Sequence, residues 1–62
     1  MKIIKTTIDG NYLQILGENE APCINEQYEF DGIKYRVLKC HSFVNDASKF
    51  KATLIKIQKP NS

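Results

Sequence analysis

Two Asp-Gly dipeptides, Asp9-Gly10 and Asp31-Gly32, constrain this chain more than any other feature. Glycine enters the φ > 0 region without a Cβ penalty, and aspartate does so at modest cost. The pair therefore suits a two-residue hairpin turn. Each dipeptide lies between runs of β-branched and aromatic residues, so the sequence predicts two β-hairpins.

In the first hairpin, an Asp9-Gly10 loop sets Ile8 opposite Asn11, Thr6 opposite Leu13 and Ile4 opposite Ile15. One face then carries Ile4, Thr6, Ile8, Leu13 and Ile15. The other carries Lys5, Thr7, Tyr12 and Gln14, with Ile3 and Leu16 at the open end. Moving the loop to Gly10-Asn11 leaves these faces unchanged, because the shift preserves parity. The second hairpin pairs Phe30 with Ile33, Tyr28 with Tyr35 and Glu26 with Val37 on one side. On the other side it pairs Glu29 with Lys34 and Gln27 with Arg36. Aromatic pairs and opposite-charge pairs across strands are each worth about 0.2–1 kcal/mol.

Gly17 and Pro22 mark residues 17–25 as a connecting loop. Beyond Leu38 the alternation slips: Val37, Leu38, Cys40, Phe43 and Val44 fit no single face. A bulge, or a strand covered on both sides, accounts for that. Residues 44–48, Val-Asn-Asp-Ala-Ser, read as a turn. Phe50 to Ile57 reads as a strand with Phe50, Ala52 and Leu54 on one face and Thr53, Ile55 and Ile57 on the other. A helix over 46–58, capped by Asn45 or Asp46, is the alternative. β-branched residues in Thr-Leu-Ile-Lys-Ile favour the strand.

The expected fold is mostly β, a small antiparallel meander of four to five strands. A flat sheet of this size exposes an apolar face and two edges. Curling into a small SH3-like or OB-like barrel removes most of that exposure, and covering the face with a C-terminal helix (α+β) is the other solution. The 62 residues make one domain, residues 1–59, followed by a frayed tail, Pro60-Asn61-Ser62. A domain this short buries only about 60% of its unfolded surface, which leaves little room for an enclosed active site. Apolar residues at 42% and a net charge of +2 argue against disorder.

Chemistry-bearing patterns are sparse. The lone histidine, His41, adjoins Cys40, and neighbours on a strand point to opposite faces, so a Cys–His nucleophile pair is not expected. Cys23, Cys40 and His41 lack the close-spaced pairs of a structural zinc site. The three glycines form no phosphate loop. The reading is therefore no enzyme, no metal and no cofactor, with Cys23 and Cys40 as free thiols. At least one of the two is expected to be a core filler. The start, Met1-Lys2-Ile3-Ile4-Lys5-Thr6, has no apolar h-region, and no run is long enough to span a bilayer. A cytoplasmic location away from membranes is the expectation.

Charge is distributed unevenly. Residues 1–31 carry a net −4 and residues 32–62 a net +6. Such asymmetry suits a charged partner. Two function classes follow. The first is a non-catalytic protein-binding module: an adaptor, inhibitor or assembly subunit, of the kind bacteria and bacteriophages use as accessory proteins. An exposed edge strand would augment a partner's sheet, or the acidic residues Glu18, Glu20, Glu26, Glu29 and Asp31 would meet a basic cleft. A homodimer belongs to this class. The second is a small nucleic-acid-binding barrel. Lys34, Arg36 and Lys51 would track phosphates and an outward Tyr12 would stack on a base. Tyr28, Phe30, Tyr35, Phe43 and Phe50 are assigned to the core.

Overall fold

The computed structural model describes residues 1–58. The proposed tail, Pro60-Asn61-Ser62, lies outside the described residues, as does residue 59. Five strands form: β1 (Lys2–Asp9), β2 (Tyr12–Glu18), β3 (Gln27–Phe30), β4 (Ile33–Ser42) and β5 (Lys49–Lys56). They make one antiparallel sheet in the order β1-β2-β5-β4-β3, curled into a half-barrel. Among the described residues there is no helix, so the C-terminal element takes the strand alternative.

Both hairpins form, each by its own turn chemistry. Asp31 and Gly32 have φ of 52° and 77°, as a type I′ turn requires. The register follows as expected: Phe30 opposite Ile33, Glu29 opposite Lys34, Tyr28 opposite Tyr35 and Gln27 opposite Arg36. Glu26 meets Val37 just beyond the strand, where its carbonyl accepts the Val37 N–H at 2.9 Å. At the first hairpin, Asp9 pairs with Tyr12 and Ile8 with Leu13. The loop is thus Gly10-Asn11, and Gly10 takes the positive φ of 60°, the pattern of a type II′ turn.

Two bulges set the sheet's curvature. One falls between Ile3 and Lys5 and leaves Ile4 without a cross-strand partner, while Ile15, the partner expected for Ile4, pairs with Thr6 because the Gly10-Asn11 loop shifts the register by two. The other falls between Val37 and Lys39, where the alternation slips in the sequence. A bulge bends its strand and raises the local twist, and here the sheet curls about its apolar side.

The core lies on the concave face of the three inner strands: Leu13 and Ile15 of β2, Tyr35 and Val37 of β4, and Phe50, Ala52 and Leu54 of β5. Small residues sit beside large ones. Ala52 stands between Ile15 and Cys40, and Gly17 lies opposite Phe50. This alternation lets the side chains of the curled inner face fit together in one buried cluster. Tyr28, Phe30, Ile33 and Cys40 pack around the cluster. The Phe30 ring lies 6.3 Å from both Tyr28 and Tyr35, within the range of favourable tilted aromatic pairs.

Phe43 departs from its core assignment: β4 ends at Ser42, and Phe43 is 39% exposed. It begins the loop into β5, which is held by the Phe43 N–H to the Lys49 carbonyl at 3.1 Å and by Asp46. The Asp46 carboxylate accepts from both the backbone N–H and the hydroxyl of Ser48, at 3.1 and 2.6 Å. Those two bonds hold its pKa below the usual carboxylate value.

Candidate functional site

Cross-strand register decides which charges meet on the outer, convex face. Reading across β1, β2, β5 and β4, one row is Lys5, Leu16, Lys51 and His41. The next is Thr7, Gln14, Thr53 and Lys39, and the third is Asp9, Tyr12, Ile55 and Arg36. All four residues singled out for a basic face (Tyr12, Lys34, Arg36 and Lys51) therefore lie on one side of the sheet. Tyr12 and Arg36 flank Ile55 in one row, and Lys34 precedes Arg36 by two positions on β4. Lys51 is two rows away, about 13 Å along the strand.

The structure adds residues to this face that the alternation alone did not place there. The bulge at Leu38 reverses parity in the second half of β4. Cys40 consequently turns to the core, and Lys39 and His41 turn outward. Docking of β2 against β5 brings Lys5 and Lys51 to either side of Leu16. Between them lies an open concavity of ≈ 360 Å3 lined by Lys5, Lys51, Thr7, Gln14, Leu16 and Phe43. Among the described residues, the ion pairs are Lys49 with Glu18 and with Asp46, each at 4.0 Å, and the N-terminus with Glu20 at 3.5 Å. Lys5, Lys34, Arg36, Lys39 and Lys51 belong to none of them.

The five acidic residues are not gathered into one surface. Glu18 and Glu20 lie at the end of the sheet where β2 finishes. Glu29 and Asp31 lie at the β3–β4 turn, the opposite end. Glu18 and Glu20 are the partners of Lys49 and the N-terminus. Glu26 accepts hydrogen bonds from the Tyr28 hydroxyl and the Cys23 N–H. Those bonds lower the Glu26 pKa, and the same contact pushes Tyr28 up to about 12, with desolvation adding to it. Glu29 and Lys34 are cross-strand neighbours without a close ion pair.

The second surface is the edge of the sheet. β1 and β3 are the two edge strands. β3 has four residues and is bounded by irregular backbone at Asn25 (φ 72°) and Asp31 (φ 52°). β1 has eight residues, every one exposed. Its isoleucines are uncovered, Ile3 at 40%, Ile4 at 46% and Ile8 at 66%. On the concave side, Thr6 and Ile8 border an open groove of ≈ 140 Å3 with Leu13, Phe30, Ile33 and Tyr35. The half-barrel is thus open between β1 and the β3–β4 hairpin, and its apolar lining reaches solvent there.

Cys23 is exposed and Cys40 half-buried, and neither is in a disulfide. Burial raises the Cys40 thiol pKa. His41 lies on the face opposite Cys40. Among the described residues, no three His, Cys, Asp or Glu side chains come together in a group suited to a metal ion. Among the described residues, no helix is long and apolar enough to cross a membrane. No family model matches the chain, and comparisons with curated proteins and with solved structures likewise find no match.

Proposed function

We propose that this chain is a small non-catalytic binding module that takes an extended segment of a partner protein as a sixth strand along β1. The observation that carries this reading is the edge strand itself: eight residues, none covered, beside an apolar groove. An edge strand presents a row of unpaired N–H and C=O groups, and proteins ordinarily blunt such edges by shortening, charging or covering them. β3 is blunted, being short and irregular at both ends. β1 carries Lys2, Lys5 and a bulge at Ile4, but beyond the bulge Lys5–Asp9 pairs in regular register, and its alternating residues Thr6 and Ile8 offer side-chain contacts on the groove side. A partner strand would complete about four residues' worth of main-chain hydrogen bonds. Covering Ile8 would contribute about 1–2 kcal/mol more. Backbone pairing supplies affinity in this mode, and the groove supplies side-chain selection.

The reading covers an adaptor, an inhibitor or an assembly subunit. A cytoplasmic accessory protein of a bacterium or bacteriophage is its natural setting, in keeping with two free thiols and a Lys-, Ile- and Asn-rich composition.

A photo-activated cross-linker placed at position 8, with position 47 at the far end of the sheet as control, tests it in the cells that make the protein. The expected result is a discrete adduct from position 8 alone, whose partner peptide maps to an extended segment and which Thr6→Lys removes. An adduct of twice the chain's mass identifies that partner as a second copy. Equal labelling from both positions, or none from position 8, overturns the proposal.

A further inference from the structure

We infer that the outer face, on the side of the sheet away from the groove, binds single-stranded nucleic acid. The strand would run across Lys5, Lys51, Lys39 and Arg36, with Phe43 and Tyr12 as stacking rings. The two central rows of this face hold Lys5, Lys51, His41 and Lys39 together with Thr7, Gln14 and Thr53, and not one carboxylate. The acids on this face stand at its margins. Glu18 is engaged with Lys49, Asp9 lies on the edge strand, and Glu29 lies on β3. None of Lys5, Lys39, Lys51 or Arg36 has an ion-pair partner among the described residues. Four cations on one surface with no carboxylate paired to them give that face a local positive potential, although the whole chain carries only +2.

The spacing suits a chain of phosphates better than a single anion. Neighbouring strands are about 4.8 Å apart, so Lys5 and Lys51, on either side of β2, lie about 10 Å apart across the face. Arg36, three strands and two rows from Lys5, lies about 19 Å from it, and a lone phosphate cannot meet both ends of that span, whereas a flexible polyanion can touch each cation in turn. The lining between them is apolar and amide-bearing. Leu16 forms the floor, Gln14 offers both donor and acceptor, and Phe43, 39% exposed, forms one wall. Tyr12, 44% exposed, stands about 13 Å further along β2. A ring at each end with cations between them is the arrangement that tracks a single strand, since every base offers a π-face and each linkage a charge. A protein carboxylate partner would use the cations but leave the two rings without a role.

The test is fluorescence anisotropy of labelled oligo-dT, oligo-U and a DNA duplex, with poly-glutamate as competitor, across a salt series. Four phosphate contacts give a slope of log K against log salt of about −2.8 for a single strand. That is about a 50-fold loss of affinity between about 50 and 200 mM salt. Lys5→Gln and Lys51→Gln each should reduce the slope by about 0.7. Phe43→Ala should weaken binding roughly tenfold at unchanged slope, because stacking releases no counterions. Circular dichroism of each variant establishes that the exposed substitutions leave the fold intact. A preference between oligo-dT and oligo-U tells DNA from RNA as the ligand. Absence of binding at about 100 µM protein in low salt, equal competition by poly-glutamate, or a slope indifferent to Lys5→Gln and Lys51→Gln overturns the inference. Each of these outcomes leaves strand addition at β1 standing, since Ile8 is not part of this surface.

Discussion

Gly17→Ala should be among the most damaging one-methyl changes this protein can suffer. Gly17 lies in β2 opposite Phe50 of β5 and Ile3 of β1. A Cβ built there would stand 2.5 Å from Phe50 Cζ, 3.0 Å from Phe50 Cε2 and 3.0 Å from the Lys2 carbonyl oxygen. Phe50 is 1% exposed and among the largest fully buried side chains, so its ring has no open space to enter. Overpacking a filled core costs about 1–3 kcal/mol. Against that, alanine reduces the entropy of the unfolded chain by about 0.4–1 kcal/mol. The net expectation is a loss of about 1–2 kcal/mol. In a chain of 62 residues that is a substantial share of a total near 0.1 kcal/mol per residue. Urea denaturation followed by circular dichroism measures the loss directly, and the melting temperature should fall by about 5–10 °C. A cycle with Phe50→Leu, which shortens the ring that clashes, isolates the cause. In the Phe50→Leu background, the cost of Gly17→Ala should fall well below its cost in the parent, to what the contact with the Lys2 carbonyl oxygen leaves. An equal cost in both backgrounds would refute the steric argument, as would no cost in the parent.

Tyr28 should titrate near 12, followed by its ring carbon resonances, and Glu26→Ala should return it toward its ordinary value of 10.0. Because the folded-state value is raised, the associated stabilisation is complete below the unfolded pKa and lost as pH climbs through the folded one. Asp46 has the opposite sign: its depressed pKa gives a contribution present above the unfolded carboxylate value and lost on acidification through the folded one. Asp46→Ala should flatten the acid limb of a pH-dependent unfolding curve relative to the parent. Cys23, exposed, should react with a thiol reagent well before Cys40, which is half-buried and has a raised pKa. Equal rates would contradict the packing of Cys40 against the core.

The hairpins were legible because their signals are local. Asp31-Gly32 supplies two positive φ values, and Tyr28, Phe30, Ile33, Tyr35 and Val37 alternate without a break, so the register could be read pair by pair. Faces were also legible in β5, where Phe50, Ala52 and Leu54 alternate with Lys51, Thr53 and Ile55. Neighbours were not. Periodicity tells which side a residue faces but not which strand lies beside it, so the insertion of β5 between β2 and β4 left no mark in the pattern.

Parity after a bulge was equally hidden. The slip at Leu38 was visible as a disturbance, but its consequence, that Lys39 and His41 join Lys51 on the outer face, depends on which residue is left unpaired. Ile4 gave no warning, since two adjacent isoleucines fit either register. Side-chain type alone points Phe43 inward. Its exposure follows from the end of β4 at Ser42 and the tight loop held by Asp46. The groove beside Ile8 was not legible, because it results from the barrel closing only halfway.

Amide hydrogen exchange in the free protein tests the central claim most directly. The account predicts that within β1 the amides paired to β2 exchange slowly and the alternate, outward-facing amides exchange at nearly the unprotected rate. Uniform protection along the whole of Lys2–Asp9 would mean that the edge is already occupied and has no room for a partner strand.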